Sequence, residues 1–305
     1  MPSRREFMKQ VGKQIGGVAV AASLPASARL GTLRRAAHVR FGYASITWNE
    51  NDRQAIDDIS ALGFPGIQLR SNVLTSIGRD PHALRTLLDA HHLTFVALSS
   101  GNVSIEPADE SQTVDEHVAH ARWLKDAGGL YLQLIADGPR GRPSTPSDQT
   151  RLGEVLTAIG KRTAEIGIPA VFHPHVGSLS ETPSQTARVL EAADPRYVHL
   201  LLDVAHWQQG GGDPVAAIHQ YRDRLLMLHI KDVRPSRGRA GSYEFVELGR
   251  GTVDLPGVFR ALRDVQFDGW GVVELDRVPE DSRTPAESAA TSKDYLERVL
   301  GMKVG

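Results

Sequence analysis

The chain has 305 residues, of which 41% are hydrophobic and 23% charged, and this balance excludes wholesale disorder and a multi-span membrane protein. Its 35 Lys and Arg residues stand against 36 Asp and Glu, so it lacks the basic excess of a nucleic-acid-binding protein. Cysteine is absent, which excludes disulfides, thiolate metal sites and a cysteine nucleophile. Any metal must therefore be bound by His, Asp and Glu.

The amino terminus has the features of an export signal. Arg4-Arg5 precedes a weakly apolar stretch over 15–22 and then Ala26-Ser27-Ala28. This segment resembles a twin-arginine signal, which implies the twin-arginine translocase as partner, cleavage after Ala28 and a periplasmic location. The apolar stretch is shorter than the roughly 20 residues that cross a bilayer, so we expect no stable membrane anchor. The expected organisation is a signal peptide over 1–28, a linker over 29–40 and one domain over 41–305, with a basic flexible tail as the alternative for the first segment.

After residue 40, short apolar runs alternate with stretches of helical spacing. The apolar runs predict eight strands: Phe41–Trp48, Gly66–Arg70, Phe95–Ser100, Tyr131–Ala136, Pro169–His175, Val198–His206, Leu225–Asp232 and Gly269–Asp276. The helical spacing predicts helices over Asp52–Leu62, His82–Ala90, Thr113–Ala127, Asp148–Ile166, Pro183–Ala192, Pro256–Val265 and Pro285–Leu300. Eight such units favour a single-domain (β/α)8 TIM barrel over a doubly wound sheet, because no Gly-x-Gly-x-x-Gly follows the first strand. The stretch Pro235–Ser242 is predicted to be a loop.

Each of the last four predicted strands ends in polar residues that include a type able to bind a metal. These residues are His173 and His175, Asp203 and His206, His229 and Lys231, and Glu274 and Asp276. A parallel barrel brings the carboxyl ends of its strands to one rim, so we expect these side chains to converge. Imidazoles and carboxylates together suit Mn²⁺, Zn²⁺, Co²⁺ or Mg²⁺. Six other histidines fall on predicted helices or their edges, where we expect solvated surface: His82, His91, His92, His117, His120 and His219.

Four segments then resemble a known family, the sugar phosphate isomerase/epimerase group of xylose-isomerase-like TIM barrels. They are Asp203-Val-Ala-His206, His229-Ile-Lys-Asp232, Glu247-Leu-Gly249-Arg-Gly251-Thr-Val-Asp254 and Gly269-Trp-Gly-Val-Val-Glu274. The resemblance implies one divalent metal at the barrel mouth, held by a Glu, an Asp, a His and a Glu from strands five to eight. Asp203, His229 and Glu274 match the last three ligands, and His206 is implied to contact substrate or support the metal. We expect Mn²⁺ first, with Zn²⁺, Co²⁺ or Mg²⁺ as alternatives.

The first metal ligand departs from the general pattern of this family. Where most members end strand five with a Glu, this chain has His173-Pro-His175-Val-Gly177 followed by Ser180-Glu181-Thr182, which is similar to the inosose dehydratase branch. Either His173 binds the metal directly or Glu181 reaches back from the loop. We expect Glu181, because a further anionic oxygen better neutralises a dication, and His173 remains the alternative.

The resemblance implies an enzyme acting on a small sugar or cyclitol. A divalent metal would acidify the carbon next to a carbonyl, with His173 or His175 as base or acid and Lys231 stabilising the developing oxyanion. Isomerisation, epimerisation and β-elimination are the three outcomes, and elimination is favoured because only Glu274 supplies a carboxylate of the usual two-glutamate pair. We expect a keto-sugar, keto-inositol or keto-glycoside without phosphate, since only Lys231 and Arg234 lie near the predicted site in sequence.

Two other functional classes are weighed against this hypothesis. A phosphodiesterase like the apurinic-site endonucleases would carry further His and Glu ligands on strands two to four, where this chain offers Gln68, Ser99 and Gln133. A non-catalytic periplasmic sugar-binding protein would bind sugar without metal. Trp48, Trp207 and Trp270 are predicted near the rim, where they would line a substrate cleft or a contact in a homo-oligomer.

Overall fold

The computed structural model describes residues 38–236 and 242–305, which fold as a closed barrel of eight parallel strands surrounded by helices. The barrel strands are β1 (His38–Ala44), β2 (Gly66–Arg70), β3 (Thr94–Val103), β4 (Tyr131–Ala136), β5 (Ala170–His173), β6 (Val198–Asp203), β7 (Leu225–Ile230) and β10 (Asp268–Val273). Each pairs with its neighbour along the chain, and β10 closes the barrel on β1, where Tyr43 pairs with Val273. The predicted TIM barrel is confirmed. The two remaining strands, β8 (Asp232–Pro235) and β9 (Tyr243–Val246), form a separate antiparallel ribbon.

Nine α-helices occur among the described residues. They are α1 (Asp52–Ala61), α2 (Pro81–Ala90), α3 (Glu110–Asp126), α4 (Pro146–Ile166), α5 (Pro183–Ala192), α6 (Val204–Gln209), α7 (Pro214–Gln220), α8 (Leu255–Asp264) and α9 (Pro285–Asp294). Helices α4, α5 and α9 begin with a capping box and a proline in the first turn, which fixes their starts locally. Within the described residues, none of the helices has the length and apolar character needed to cross a membrane.

The ends of several elements differ from the sequence-based prediction. Strand β1 begins at His38 instead of Phe41, while the predicted signal peptide over 1–28 lies outside the described residues. Strands β5, β6, β7 and β10 each end two or three residues early, so His175, His206, Asp232 and Asp276 follow the strands that were predicted to contain them. Helix α6 was missed because four of its six residues are buried, which leaves no apolar and polar faces to recognise. The flanks of the predicted loop Pro235–Ser242 pair as the β8–β9 ribbon.

The barrel interior is filled by a small apolar cluster that includes Trp270, Val96, Leu201 and Met227. Trp270 lies at the amino-terminal end of β10, and an added Cβ at Gly66 would approach its ring to 2.5 Å, so only glycine leaves room for the indole. The predicted rim position of this tryptophan is wrong. Trp48 and Trp207 are also buried, both 5% exposed, and none of the three offers an exposed surface for a subunit contact.

His117 is buried, at 2% exposure, and the expectation that it lies on the surface is wrong. It sits on the face of α3 that packs against β3, where its Nδ1 lies 2.6 Å from Ser100 Oγ; the same hydroxyl lies 2.8 Å from Nδ1 of the half-buried His120. Burial, and secondarily His120, lower the pKa of His117 to about 4. Of the other four, His82, His92 and His219 are exposed as expected, and His91 is half-buried.

Stability should depend on pH through His117. Because its folded-state pKa of about 4 lies below the ordinary 6.5, the unfolded chain takes up a proton as pH falls below 6.5 while the folded chain does not. We expect this group to account for ~2 kcal/mol of the stability lost between pH 7 and pH 5. Urea unfolding of the wild type and His117→Gln at both pH values measures it. An equal loss in the two proteins would contradict the assignment.

Candidate metal centre

Four buried side chains at the carboxyl ends of neighbouring strands lie close enough to hold one ion. His173, Asp203, His229 and Glu274 each present a ligand atom, and these atoms all lie within 4.8 Å of one another. His173 is the last residue of β5, and Asp203 is the last residue of β6. His229 lies within β7, and Glu274 directly follows β10. Asp203 and His229 are paired in the β6–β7 register, so the sheet itself places them side by side. The barrel thus brings together side chains that lie up to about a hundred positions apart in the sequence.

Three of these side chains keep a buried polar atom without a hydrogen-bond partner. The atoms are His173 Nδ1, Asp203 Oδ2 and His229 Nδ1. His229 Nδ1 lies 3.6 Å from Asp203 Oδ2 and 3.4 Å from Glu274 Oε2. Leaving such atoms unsatisfied costs about 1–3 kcal/mol each. Nitrogen and carboxylate oxygen atoms that converge in this way suit a divalent cation, and the residues present fit one.

Asp203 is oriented by the helix that follows it. As the N-cap of α6, it accepts hydrogen bonds through Oδ1 from the backbone N–H groups of Ala205 and His206, both at 2.8 Å. These bonds satisfy the first turn of the helix and leave Oδ2 directed at the other ligand-type atoms. The same short helix carries His206 over the site, with its imidazole 3.9 Å from Asp203 Oδ2.

His229 is oriented by two glutamines from the opposite side of the barrel. Its Nε2 lies 2.9 Å from Gln68 Oε1, and Gln68 Nε2 donates to Gln133 Oε1 at 2.9 Å. A carbonyl oxygen only accepts, so Nε2 carries the proton and Nδ1 keeps its lone pair for a ligand. Sequence reasoning noted Gln68 and Gln133 only as non-ligands. Their position within apolar runs, in the middle of two barrel strands, was the available signal for a buried polar role.

The structure does not bring Glu181 into this group. Its side chain is exposed, and Oε2 accepts a hydrogen bond from the backbone N–H of Gly177 at 3.0 Å. The side chain is therefore used within the turn that leads into α5, directly before its N-cap Thr182. The expectation that Glu181 completes the ligand set is not met, and the alternative residue, His173, occupies the position beside the other three.

Lys231 is fully buried among carboxylates. Its Nζ lies 3.0 Å from Glu274 Oε1, 2.5 Å from Asp276 Oδ1 and 3.9 Å from Asp203 Oδ2, and 4.0 Å from the centre of the Phe245 ring. Burial lowers the pKa of Lys231, but these carboxylates outweigh it and raise the pKa above its ordinary value. Burial raises the pKa of Glu274, yet His229 and Lys231 hold it below its ordinary value. The ammonium therefore stays charged beside an ionised Glu274.

His173, His175 and His206 form a second, overlapping group of imidazoles. His175 donates from Nδ1 to the carbonyl oxygen of Val176 at 2.6 Å, which leaves the lone pair of Nε2 unused, and its ring lies 3.7 Å from the His206 ring between centroids. His206 Nε2 accepts from Lys231 Nζ at 3.3 Å. Burial and Lys231 hold the pKa of His206 well below its ordinary value, and burial and His229 do the same for His173. Both buried imidazoles are neutral at neutral pH.

A cleft of about 210 Å³ opens beside these side chains. His173, His175, Glu274 and Asp276 line it, together with Arg70, whose place in the cleft sequence reasoning missed. The cleft gives a small polar molecule access to both the ligand-type cluster and the half-buried His175.

Residues 56–299 match the family described as xylose isomerase-like TIM barrel. The chain belongs to this family. Two of its relatives are inosose dehydratases: the enzyme of Lacticaseibacillus casei is 25% identical over 299 residues, covering 87% of this chain and 98% of the relative. The enzyme of Geobacillus kaustophilus (strain HTA426) is 28% identical over 303 residues, covering 86% and 94%.

Solved structures show the same xylose isomerase-like fold. An IolI protein with a bound zinc atom superposes with a TM-score of 0.74 at 20% identity, covering 86% of this chain and 98% of that one. The 3-keto-D-glucoside 4-epimerase YcjR of E. coli superposes with a TM-score of 0.69 at 18% identity, covering 85% and 99%. At these identities the likeness is one of fold.

Asp232, in the motif 229–232, binds backbone groups of the loop that follows β9. Its carboxylate accepts hydrogen bonds from the backbone N–H groups of Val233, Gly249, Gly251 and Val253 at 2.9 to 3.1 Å. A Cβ at Gly251 would come within 2.2 Å of Asp232 Oδ1, so that position requires glycine. The motifs 229–232 and 247–254 are thus joined by hydrogen bonds to the buried carboxylate of Asp232, the residue after Lys231.

Metal binding should distinguish His173 from Glu181. We expect purified protein to bind about one divalent ion, and His173→Ala to weaken binding by on the order of tenfold or more, because it removes a buried imidazole from the cluster. Glu181→Gln should change the affinity little, since this side chain is exposed. Calorimetric titration with Mn²⁺ and Zn²⁺ measures both. Loss of binding in Glu181→Gln alone would restore the original expectation.

Gln68 should affect metal affinity without being a ligand. Gln68→Leu leaves the Nε2–H of His229 without an acceptor, and we expect binding to weaken by about 10- to 100-fold. Gln54→Leu, at an exposed position of α1, makes the same chemical change away from the site and serves as the control. Equal affinities for the two variants would show that the glutamine does not orient the imidazole.

Proposed function

We propose that this protein is a divalent-metal-dependent enzyme that removes the proton next to the carbonyl of an oxidised sugar or cyclitol. The observation that carries the proposal is the convergence of buried, unpartnered atoms of His173, Asp203 and His229 beside Glu274 at the barrel mouth. Active sites of TIM barrels lie at this end of the strands. The kinship with inosose dehydratases over nearly their whole length supports an enzyme of this class.

The ion would be held by His173, Asp203, His229 and Glu274. When bound, a divalent cation supplies Lewis-acid polarisation of a carbonyl oxygen. Two imidazoles and two carboxylates suit Zn²⁺, Co²⁺ and Mn²⁺ better than Mg²⁺, which prefers oxygen ligands. The zinc atom in the IolI structure is in keeping with this choice.

His175 is the residue best placed to take the proton. Its Nδ1–H bond to the Val176 carbonyl oxygen fixes the tautomer in which Nε2 is a free acceptor, and the residue lines the cleft. Lys231 holds a proton on a buried ammonium that contacts Glu274, Asp276 and His206. It is placed to donate that proton to an oxygen that gains charge or departs.

Elimination is the outcome we favour. The C–H bond next to the carbonyl breaks with the proton passing to His175 Nε2, its electron pair forms a carbon–carbon double bond, and the neighbouring C–O bond breaks. The departing oxygen takes its proton from Lys231 and leaves as water or an alcohol. Elimination needs only one base, and His175 is the imidazole of the cleft that lies outside the proposed ligand set, whereas epimerisation needs a second base on the opposite face of the carbon. The named activity of the sequence relatives, inosose dehydratase, agrees with this preference.

The substrate class that follows is a keto-inositol, keto-sugar or keto-glycoside. We propose further that the chain is exported by the twin-arginine translocase, on the strength of Arg4-Arg5 and Ala26-Ser27-Ala28, and acts in the periplasm. A phosphodiesterase is disfavoured, because in the described ranges the candidate metal groups draw only on residues from His173 onward. A non-catalytic sugar-binding protein would have no use for unpartnered ligand atoms at the mouth.

Proton exchange tests this function. In D₂O, metal-loaded protein should exchange or eliminate the proton next to the carbonyl of an inosose or a keto-glucoside, followed by NMR. His175→Gln should slow the reaction by about 10²- to 10⁴-fold while keeping its metal content, because it removes the base alone. The exposed His219→Gln is the matched control and should retain the wild-type rate. Undiminished exchange in His175→Gln would assign the base elsewhere, and no exchange with any keto-sugar would refute the proposal.

A further inference from the structure

Arg70 is the positively charged side chain among the residues that line the cleft. It is the last residue of β2 and shares the inward-facing parity of Gln68, whose amide reaches His229 across the barrel. The residue is half-buried and lines the same cleft as His173, His175 and Glu274. Among the residues that the structure describes, it makes no hydrogen bond and no ion pair.

The nearby carboxylates are already occupied. Burial raises the pKa of Asp52 above its ordinary value, against the lowering effect of its two hydrogen bonds and of Arg70. Its carboxylate accepts from Ser45 through Oδ1 at 2.9 Å and from Asn72 through Oδ2 at 2.7 Å. Asp276 binds the ammonium of Lys231. Glu274 belongs to the ligand-type cluster and also contacts Lys231. The guanidinium therefore faces the cleft with its donors unused.

An arginine in this position recognises an anion. Its planar fork matches the two oxygens of a carboxylate in a paired, charge-assisted arrangement. A single positive charge balances a singly charged carboxylate, whereas a doubly charged phosphate normally recruits further cations or a helix amino terminus. Among the charged residues that line the cleft, Arg70 is the cation, with Glu274 and Asp276 as the acids.

We propose that Arg70 binds a carboxylate on the substrate, so that the substrate class is an oxidised sugar acid. This inference rests on the proposed function, since it places the carbonyl end of the sugar at the ligand-type cluster and the carboxylate at Arg70. It narrows the substrate from neutral keto-sugars to keto-uronates and related sugar acids. The residue is a specificity determinant and takes no part in the proton transfer.

Calorimetric titration of the full, metal-loaded chain with matched sugars tests the site. The probes are D-glucuronate, D-glucose and D-glucose 6-phosphate. We expect wild type to bind glucuronate about tenfold or more tightly than glucose, and Arg70→Gln to lose this preference while its affinity for glucose stays unchanged. Arg70→Lys should keep part of the preference. Arg53→Gln removes the same charge from an exposed position on α1 and should behave as wild type.

Three results would overturn the proposal: no preference for glucuronate in the wild type, the same preference in Arg70→Gln, or tighter binding of the phosphate than of the uronate. Thermal unfolding of each variant checks that it is folded, and Arg70→Lys provides the second variant. Repeating the titration after chelation separates this site from the proposed function. An Arg70-dependent preference in a chain that binds no metal would refute the metal chemistry alone, and metal binding without the preference would refute the anion site alone.

Discussion

The buried negative charge at the barrel mouth is the constraint on which the site depends. Asp203, Glu274 and Asp276 carry three negative charges against the single positive charge of Lys231, and the first two carboxylates are almost wholly removed from water. Buried charges without partners cost several kcal/mol each. Counted over these four side chains alone, the formal charges leave an excess of two negative charges, which equals the charge of one divalent cation, and the imidazoles of His173 and His229 add nitrogen ligand atoms. The fold therefore maintains a site whose stability and chemistry both call for a dication.

The remaining polar groups at the mouth keep this constellation in one geometry. Asp203 caps α6 with one oxygen and keeps the other for the site, while Gln68 and Gln133 fix the tautomer of His229 from across the barrel. Asp232, next to Lys231, accepts hydrogen bonds from three backbone N–H groups of the 249–253 loop and from that of Val233. Each arrangement satisfies a local hydrogen-bonding demand and at the same time orients a neighbouring functional group. These hydrogen bonds orient the side chains of the site in advance, which would lower the reorganisation that a reaction requires.

For the first metal ligand, the argument from charge favours Glu181, whereas the positions of the side chains favour His173. The argument from charge favoured Glu181, because a further anionic oxygen better neutralises a dication. Asp276, brought in by the loop after β10, already supplies the additional negative charge through its contact with Lys231. Glu181 instead accepts a hydrogen bond from the backbone of Gly177, and the imidazole of His173 at the end of β5 lies beside the other three ligand-type side chains. A sequence cannot show such a compensation, because Glu181 and Asp276 lie 95 positions apart and only the barrel sets the distance of each from the ligand-type cluster.

The sequence by itself determined the architecture and the set of residues at the mouth. Apolar runs at regular spacing predicted the eight barrel strands, and proline with capping residues marked the starts of helices such as α5 and α9, because these signals act within a few residues of the chain. The tertiary structure decided which atoms face one another. It buried His117 and Trp270, placed Gln68 and Arg70 at the site and left Glu181 outside it, since side-chain direction depends on packing between elements distant in sequence. Local patterns fix where a strand ends only to within a few residues, and a shift of one residue turns a side chain from the cleft to the opposite face.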